Sequence, residues 1–276
     1  MNVLKKQCLD LRKAGHTLTE IVKITGRPKT SVYCHIHSIP LSPEKIKLIR
    51  EASGARAKII ASARKGKSVR EFKRFEKWNS NSVSLLAHLA FDGTISRTSC
   101  IYNNRDSSLL RTVEECMKEI YEFEPKRYFD KRTGVSRIGY FNVALSGYLG
   151  DKSRELFDNI HTMPKGLKKE FIKAFFEDEG CVDFRPHKNT RQIRGYQKDN
   201  SVLFLIQKLL SDFGIESRVV KPNEVVISGK ENLIKFQKEI DFSPGIKRNE
   251  NRSNSIWKKP LEKRELLEQA INSFKT

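Results

Sequence analysis

The sequence has no long apolar run and little cysteine. No uninterrupted apolar stretch is long enough to cross a bilayer, and the N-terminus lacks the apolar core of a signal peptide, so we expect an intracellular protein. The five cysteines are odd in number and include no CxxC pair. They therefore fit reduced thiols better than a disulfide framework or a zinc site.

Acidic residues are scarce relative to basic ones. The chain has 53 lysines and arginines against 33 acids, a net charge of +20 spread along its length. An excess of this size favours polyanions, and nucleic acid is the default partner. The 276 residues leave room for two domains, and 38% hydrophobic content is enough for packed cores. We therefore expect a nucleic-acid-binding protein, cytoplasmic or associated with the nucleoid.

Two apolar helical runs end in the same way. Residues 85–93 read LLAHLAFDG and residues 172–180 read IKAFFEDEG, so an acid followed by glycine closes each run, at Asp92 and at Glu179. A carboxylate is poorly placed at the negative end of a helix dipole. Two carboxylates that converge also oppose joint ionisation. A divalent cation at the junction would relieve both problems.

The similarity continues beyond the two motifs. The acids are separated by 179 − 92 = 87 residues, and two later Ser-Gly pairs by 228 − 146 = 82 residues. Each half is predicted to run helix, two strands, helix, two strands, helix, which indicates a duplicated unit. One acid-Gly helix end alone is common, because glycine caps helices in the left-handed conformation. The matched pair is much harder to explain in that way.

These residues resemble the LAGLIDADG homing endonucleases in their single-chain, two-motif form, over roughly residues 81–250. The resemblance implies an α+β class, a duplicated αββαββα fold whose strands form a saddle over double-stranded DNA. It also implies a monomer that hydrolyses phosphodiesters with Mg²⁺ (or Mn²⁺), held by Asp92 and Glu179.

The two motif helices would form the interface between the halves. Ala87 and Ala174, five residues before the acids, would then let the helix backbones approach closely. His88 and Lys173 depart from the family pattern, because they occupy positions that are usually apolar or small.

Family enzymes also use a basic residue near the metal-bound water. Lys247, in the loop after the last repeat helix, matches that position. Its counterpart in the first half should lie near residues 161–165, where His161 and Lys165 are both candidates.

Base-reading side chains should come from the strands behind each motif, where side chains alternate between faces. Arginine suits guanine and glutamine suits adenine. The candidates are Ser96, Arg97, Thr98, Arg185, Lys188, Arg191, Gln192, Arg194 and Gln197.

The first forty residues are predicted to form three short helices with a glycine-containing turn at Gly26. This is the helix-turn-helix pattern, and it resembles resolvase-like and transposase-like modules. The alternative is a small helical capping or dimerisation bundle. Cys34, His35 and His37 point in different directions on a helix and cannot close a tetrahedral metal site alone. The residues expected at the DNA are Lys29, Thr30, Ser31, Tyr33 and His35.

The predicted organisation has five segments. They are a helix-turn-helix domain (1–40), a basic helical linker (41–79), two LAGLIDADG repeats (80–163 and 164–250) and a basic C-terminal tail or helix (251–276). The linker is either a solvated charged helix or an element that lies along the DNA backbone.

The expected function is a site-specific double-stranded DNA endonuclease. Two other classes stay open. The same scaffold can serve as a catalytically silent, DNA-binding transcription regulator, and some relatives of the family act on RNA as intron maturases.

Overall fold

The computed structural model describes residues 3–64, 70–247 and 261–274. The chain divides into two compact units with the boundary between residues 69 and 70. No helix of the described residues is both long and apolar enough to cross a membrane.

The first unit is helical. Its helices are α1 Val3–Lys13, α2 Leu18–Thr25, α3 Lys29–Ile36 and α4 Pro43–Arg64. Cys8, Ile21, Val32 and Ile36 form a small buried core between the first three helices. Thr17 and Glu20 form a reciprocal capping box at the start of α2, and Gly26 ends that helix at φ 65°, as a left-handed cap requires.

The second unit contains two copies of one element order. The first copy is α5 Ser80–Phe91, β1 Gly93–Ile95, β2 Cys100–Asn104, α6 Ser107–Lys118, β3 Lys126–Asp130, β4 Val135–Tyr140 and α7 Val143–Asn159. The second copy is α8 Lys165–Asp178, β5 Gly180–Arg185, β6 Thr190–Tyr196, α9 Asn200–Ser211, β7 Ser217–Val220, β8 Glu224–Ser228 and α10 Lys230–Glu239. A further helix, α11 Lys263–Asn272, follows the second copy.

Each copy builds one antiparallel sheet. The strand orders are β1-β2-β4-β3 and β5-β6-β8-β7, so the two sheets have the same topology. The predicted α+β class and the duplicated αββαββα order are confirmed. Residues 248–260 of the predicted tail lie outside the described residues.

The end of the predicted linker packs against the first repeat. The backbone N–H of Phe75 donates to the Tyr148 hydroxyl at 2.8 Å, and that hydroxyl donates back to the Phe75 carbonyl at 2.9 Å. Trp78 donates to Glu155 at 3.1 Å. Residues 70–79 therefore belong to the second unit, and α4 ends well before them.

Helices α5 and α8 pack against each other between the two sheets. The ring of Phe91 in α5 lies 5.4 Å from Phe171 and 5.2 Å from Phe175 in α8, in edge-to-face arrangements. Ala87 and Ala174 are buried in the same two helices. Direct contact between the two alanines remains a prediction.

The glycine after each acid has a different purpose from a left-handed cap. Neither Gly93 nor Gly180 has a positive φ. A Cβ at Gly93 would lie 2.6 Å from the Leu89 carbonyl oxygen, and one at Gly180 would lie 2.5 Å from the Phe176 carbonyl oxygen. Glycine is needed because the strand starts directly against the last turn of its helix.

We expect Gly180→Ala to destabilise the protein by on the order of 2 kcal/mol, because the added methyl group forces the helix and strand apart. Gly166→Ala, in the same helix, is the matched control. A Cβ there meets nothing within 4 Å, so the change should be neutral or stabilising by up to about 1 kcal/mol. Urea denaturation of both variants measures this. Equal stabilities would show that the close approach is not needed.

Candidate functional site

The two acids occupy equivalent backbone positions. Asp92 follows α5 directly and Glu179 follows α8, and each N–H donates to the carbonyl four residues earlier. The Asp92 carbonyl accepts a bond from the Asn103 N–H at 3.3 Å, and the Glu179 carbonyl accepts one from the Tyr196 N–H at 3.1 Å. Each acid is therefore fixed between a helix end and a neighbouring strand.

The electrostatics of Asp92 reflect this convergence. Burial and the nearby charges of Asp178 and Glu179 raise its pKa from 3.8 to about 7, although Lys263 partly opposes the shift. The carboxyl group is thus close enough to Glu179 to be affected by its charge. A cation placed here would favour the ionised form of both acids.

A buried hydrogen-bonded chain links the two motif helices. His88 of α5 is 1% exposed, and its Nδ1 lies 2.9 Å from Oδ2 of Asp178 in α8. The Tyr102 hydroxyl donates to Oδ1 of Asp178 at 2.6 Å. Asn104 donates to Tyr102 at 3.1 Å and to Oδ2 of Asp92 at 2.9 Å. The chain therefore runs from His88 to the candidate metal ligand.

His88 is the family departure noted in the sequence, and it does not loosen the helix packing. Burial alone would lower its pKa, but the charges of Asp178 and Glu177 outweigh burial and raise it. The imidazolium form therefore places one positive charge inside the interface. Its partner Asp178, one residue before Glu179, was not predicted.

A second buried cation reaches the junction from α11. Lys263 is 7% exposed, and its Nζ donates to the carbonyls of Phe176 at 3.1 Å and Glu177 at 2.6 Å. These carbonyls are at the C-terminus of α8, where a positive charge is favourable. Burial lowers the pKa of Lys263.

Sequence reasoning missed Lys263 because it treated this segment as a solvated basic tail. The signal was present nearby. Glu262 and Glu265 form a capping box, and Leu266, Leu267, Ala270 and Ile271 give the following helix an apolar face that is buried.

The basic catalytic group predicted for the first half is wrong. Lys165 begins α8 and Glu179 ends it, so 14 residues at about 1.5 Å each place them about 21 Å apart. Lys165 instead pairs with Glu239 at 3.4 Å and lies over the Phe213 ring. His161 is in a short 3₁₀ turn just before that same end of α8.

Lys247 keeps its predicted role as a hypothesis. Its backbone N–H donates to Asp106 at 2.7 Å, and it forms an isolated antiparallel bridge with Glu262. Its side chain is exposed. The loop that carries it is thus anchored to the first repeat and to the start of α11.

The base-reading candidates of the second half divide between two faces of the sheet. Cys181 pairs with Arg194, and Asp183 with Gln192, on the face away from the helices. Arg185 is on that face too, and its guanidinium lies 2.6 Å from Asp183. Lys188 is exposed in a 3₁₀ turn between the strands, and Gln197 follows β6 directly.

Arg191 was assigned to the wrong face. It pairs with Phe184, which is buried on the helix side. Its Nε donates to the Ser273 hydroxyl at 2.7 Å, and its guanidinium lies over the Phe274 ring at 4.9 Å. This arginine anchors the end of α11 and is not available to read bases.

The first-half candidates are not in a strand. Ser96, Arg97 and Thr98 form the turn between β1 and β2, and the Ser96 hydroxyl accepts the N–H groups of Thr98 and Ser99. Arg97 and Thr98 are exposed at that turn. The strand residues on the outer face of this sheet are Thr94, Ile101, Asn103, Lys126, Tyr128, Asp130, Val135, Arg137 and Gly139.

In the first unit, α3 buries Val32 and Ile36 and turns its other side outward. Lys29, Thr30, Ser31 and Tyr33 are exposed, and His35 is half-buried. Their contact with DNA remains a prediction.

Comparisons with known proteins agree with this architecture. Residues 166–241 match the family model described as a LAGLIDADG-like domain, and this match lies within the second repeat. A DNA gyrase polypeptide of the A type, from Mycobacterium kansasii, is 33% identical over 91 residues, which are 32% of this chain and 16% of that protein. The chain therefore spans only a small part of the length of this curated relative.

Two solved structures show the same fold. Full-length WhiA from Thermatoga maritima has a TM-score of 0.50 and 14% identity, over 74% of this chain and 63% of that chain. The homing endonuclease I-DmoI, in complex with DNA and Mn, has a TM-score of 0.44 and 16% identity, over 59% of this chain and 97% of that chain. At these identities the likeness concerns the fold alone.

The raised pKa of Asp92 predicts a pH-dependent stability in buffer without divalent cations. Between pH 4 and 7 the folded state keeps a proton that the unfolded state releases, so stability falls as pH rises and levels off above about 7. Asp92→Asn removes this cost. We expect the variant to exceed the wild type by on the order of 4 kcal/mol at pH 8 and to match it near pH 4. A difference that is constant in urea denaturation across this range would contradict the assignment.

Proposed function

We propose that this protein is a metal-dependent, site-specific endonuclease of double-stranded DNA. The observation that carries the proposal is the pair of acids, Asp92 and Glu179, fixed by the same backbone contacts at the ends of two packed helices. Their repulsion, seen in the raised pKa of Asp92, is useful to a protein that binds a cation there.

The residues at the junction fit Mg²⁺ or Mn²⁺. Carboxylate oxygens are the protein ligands that Mg²⁺ prefers, and substrate phosphates and water commonly complete its coordination. Among the described residues no group of three His, Cys, Asp or Glu could hold a metal alone, which suits a site that DNA completes. Asp92 and Glu179 would hold the metal, which supplies an activated water and charge neutralisation at the phosphate.

The chain's own residues orient these ligands. Asn104 donates to Oδ2 of Asp92 and so directs the other oxygen outward. Lys263 fixes the last carbonyls of α8 and with them the position of Glu179. Lys247 is the basic group we assign near the attacking water.

The second sheet supports duplex binding. Arg194 is held between Asp183 at 3.2 Å and Glu224, and Arg185 by Asp183. Fixed guanidinium groups suit bidentate contacts to guanine in the major groove. With a net charge of +20, phosphate contacts supply the rest of the affinity. In the first unit, α3 would act as the recognition helix of a helix-turn-helix.

We expect Asp92→Asn and Glu179→Gln each to abolish double-strand cleavage while leaving duplex binding nearly intact, because the acids hold metal and add no affinity for phosphate. A plasmid carrying a selected target, incubated with Mg²⁺, measures cleavage, and gel shift in Ca²⁺ measures binding. Glu268→Gln, on the exposed side of α11, is the control and should cut at the wild-type rate. Normal cutting by both acid variants would remove the catalytic assignment.

We also expect a steep salt dependence of DNA affinity. Each neutralised phosphate contributes a slope of about −0.9 in log K against log salt. Lys29→Gln in α3 should reduce the slope by about one such contribution, and Lys5→Gln on exposed α1 should leave it unchanged. Fluorescence anisotropy at salt concentrations from about 50 to about 200 mM measures both slopes. Identical slopes for Lys29→Gln and wild type would argue against the helix-turn-helix assignment.

One observation favours the second candidate, a DNA-binding regulator that does not cut. His88 and Lys263 already bring two buried positive charges to the acidic junction. They reduce the repulsion that a divalent cation would otherwise relieve. Incubation with a random duplex library and Mg²⁺, followed by sequencing of cut ends, separates the two functions. Cut ends at a fixed stagger support the endonuclease, and enrichment of intact sequences supports the regulator.

A further inference from the structure

The outer face of the first sheet carries a phenylalanine supported by a glycine. A Cβ at Gly139 would lie 2.9 Å from Cε2 of Phe141, so only glycine lets the ring rest on the strand. The ammonium group of Lys126 lies 5.4 Å from the centroid of the same ring, a cation–π distance. Phe141 is nevertheless 48% exposed. Its position is therefore fixed, and much of its apolar surface faces outward.

The strand register places this ring on the face away from the helices. Ile138 and Tyr140, on either side of Gly139, are buried toward the helices, so Gly139 faces the other way. Lys126 and Ile101 both pair with Gly139 and share its face. An apolar row built from Ile101 and Phe141 is thus formed next to a cation.

A polar row lies beside the apolar one. Arg137 pairs with Asn103 and Tyr128 on the same outer face, and its Nε donates to the Asn103 side chain at 2.6 Å. Tyr128 is 50% exposed. Charge on this face is therefore mainly positive, as a phosphate-bearing partner requires.

The second repeat lacks this arrangement. The residues that begin the helix after the fourth strand of each repeat are Asn142 and Gly229, and 229 − 142 = 87, the same offset as the two acids. Gly139 then corresponds to Val226 and Phe141 to Ser228. The outer face of the second sheet carries paired arginines and acids instead. The two halves therefore offer different chemistry to a ligand.

We propose that Phe141, together with Ile101, is a specificity-determining contact for thymine methyl groups in the half-site that faces the first sheet. The inference rests on duplex binding in the proposed function and not on cleavage. The thymine methyl is the apolar group that base pairs present in the major groove. Because the ring rests on Gly139, it cannot project as a wedge between base pairs. It can contact only groups that reach the sheet surface.

The test is to replace thymine by deoxyuridine, which removes only the methyl group. The full chain first selects a duplex target from a random library in Ca²⁺. Each thymine is then replaced in turn, and affinity is measured by anisotropy. Burying one methyl contributes about 0.8 kcal/mol, so we expect about four-fold weaker binding at one or more positions. These positions should lie in one half of the target only.

Protein variants connect the effect to the ring. Phe141→Ala should bind the thymine target about four-fold more weakly and should no longer distinguish thymine from deoxyuridine. Gly139→Ala, which keeps the ring but displaces it, should lose the distinction as well. Phe129→Ala is the matched control, because Phe129 is 63% exposed on the opposite face of the same edge strand. That variant should keep the full distinction.

Three results would overturn the inference. Wild-type protein could bind thymine and deoxyuridine targets equally at every position, or Phe141→Ala could keep the distinction. Phe141→Ala could also weaken binding to a single-stranded oligonucleotide more than to the duplex, which would assign the ring to stacking on unpaired bases. Failure of the proposed function is recognised earlier, because the wild type would then select no duplex sequence at all.

Discussion

The packing of α5 against α8 is the interaction on which the rest of the structure depends. It places Phe91 between Phe171 and Phe175 and brings two acids to a common end. Burial of three phenylalanines contributes about 2 kcal/mol each. The repulsion that raises the pKa of Asp92 to about 7 costs on the order of 4 kcal/mol when that group ionises. Apolar packing is thus strong enough to hold two like charges together, which is the condition for a metal site that chain and DNA complete jointly.

The acidic junction is balanced by cations from both sides. His88 comes from within the helix interface, and Lys263 comes from a helix that follows the second repeat. Both are buried, and both bond to α8, His88 through Asp178 and Lys263 through the carbonyls of Phe176 and Glu177. Glu179 therefore stands at the more firmly held helix end, whereas Asp92 bears the shifted pKa. The two acids are equivalent in backbone position but not in environment.

The duplication preserves topology and allows the surface chemistry of the halves to differ. Both sheets have the same strand order, yet one outer face carries an apolar ring on a glycine and the other carries arginines held by acids. A chain with both repeats can change each half separately, because each face is formed by its own strands. Such a protein is suited to a target whose two halves differ in sequence.

The sequence by itself determined the element order, the two acid-Gly helix ends and the cap at Thr17, because these depend on residues within a few positions of one another. Tertiary structure alone decided which side chains meet. His88 and Asp178 are 90 residues apart in the chain, and Lys263 and Phe176 are 87 apart. The faces of Arg191 and of residues 96–98 depended on strand register and on where a turn begins. A shift of one residue exchanges the two faces of a strand, and no local pattern in those segments fixes that register.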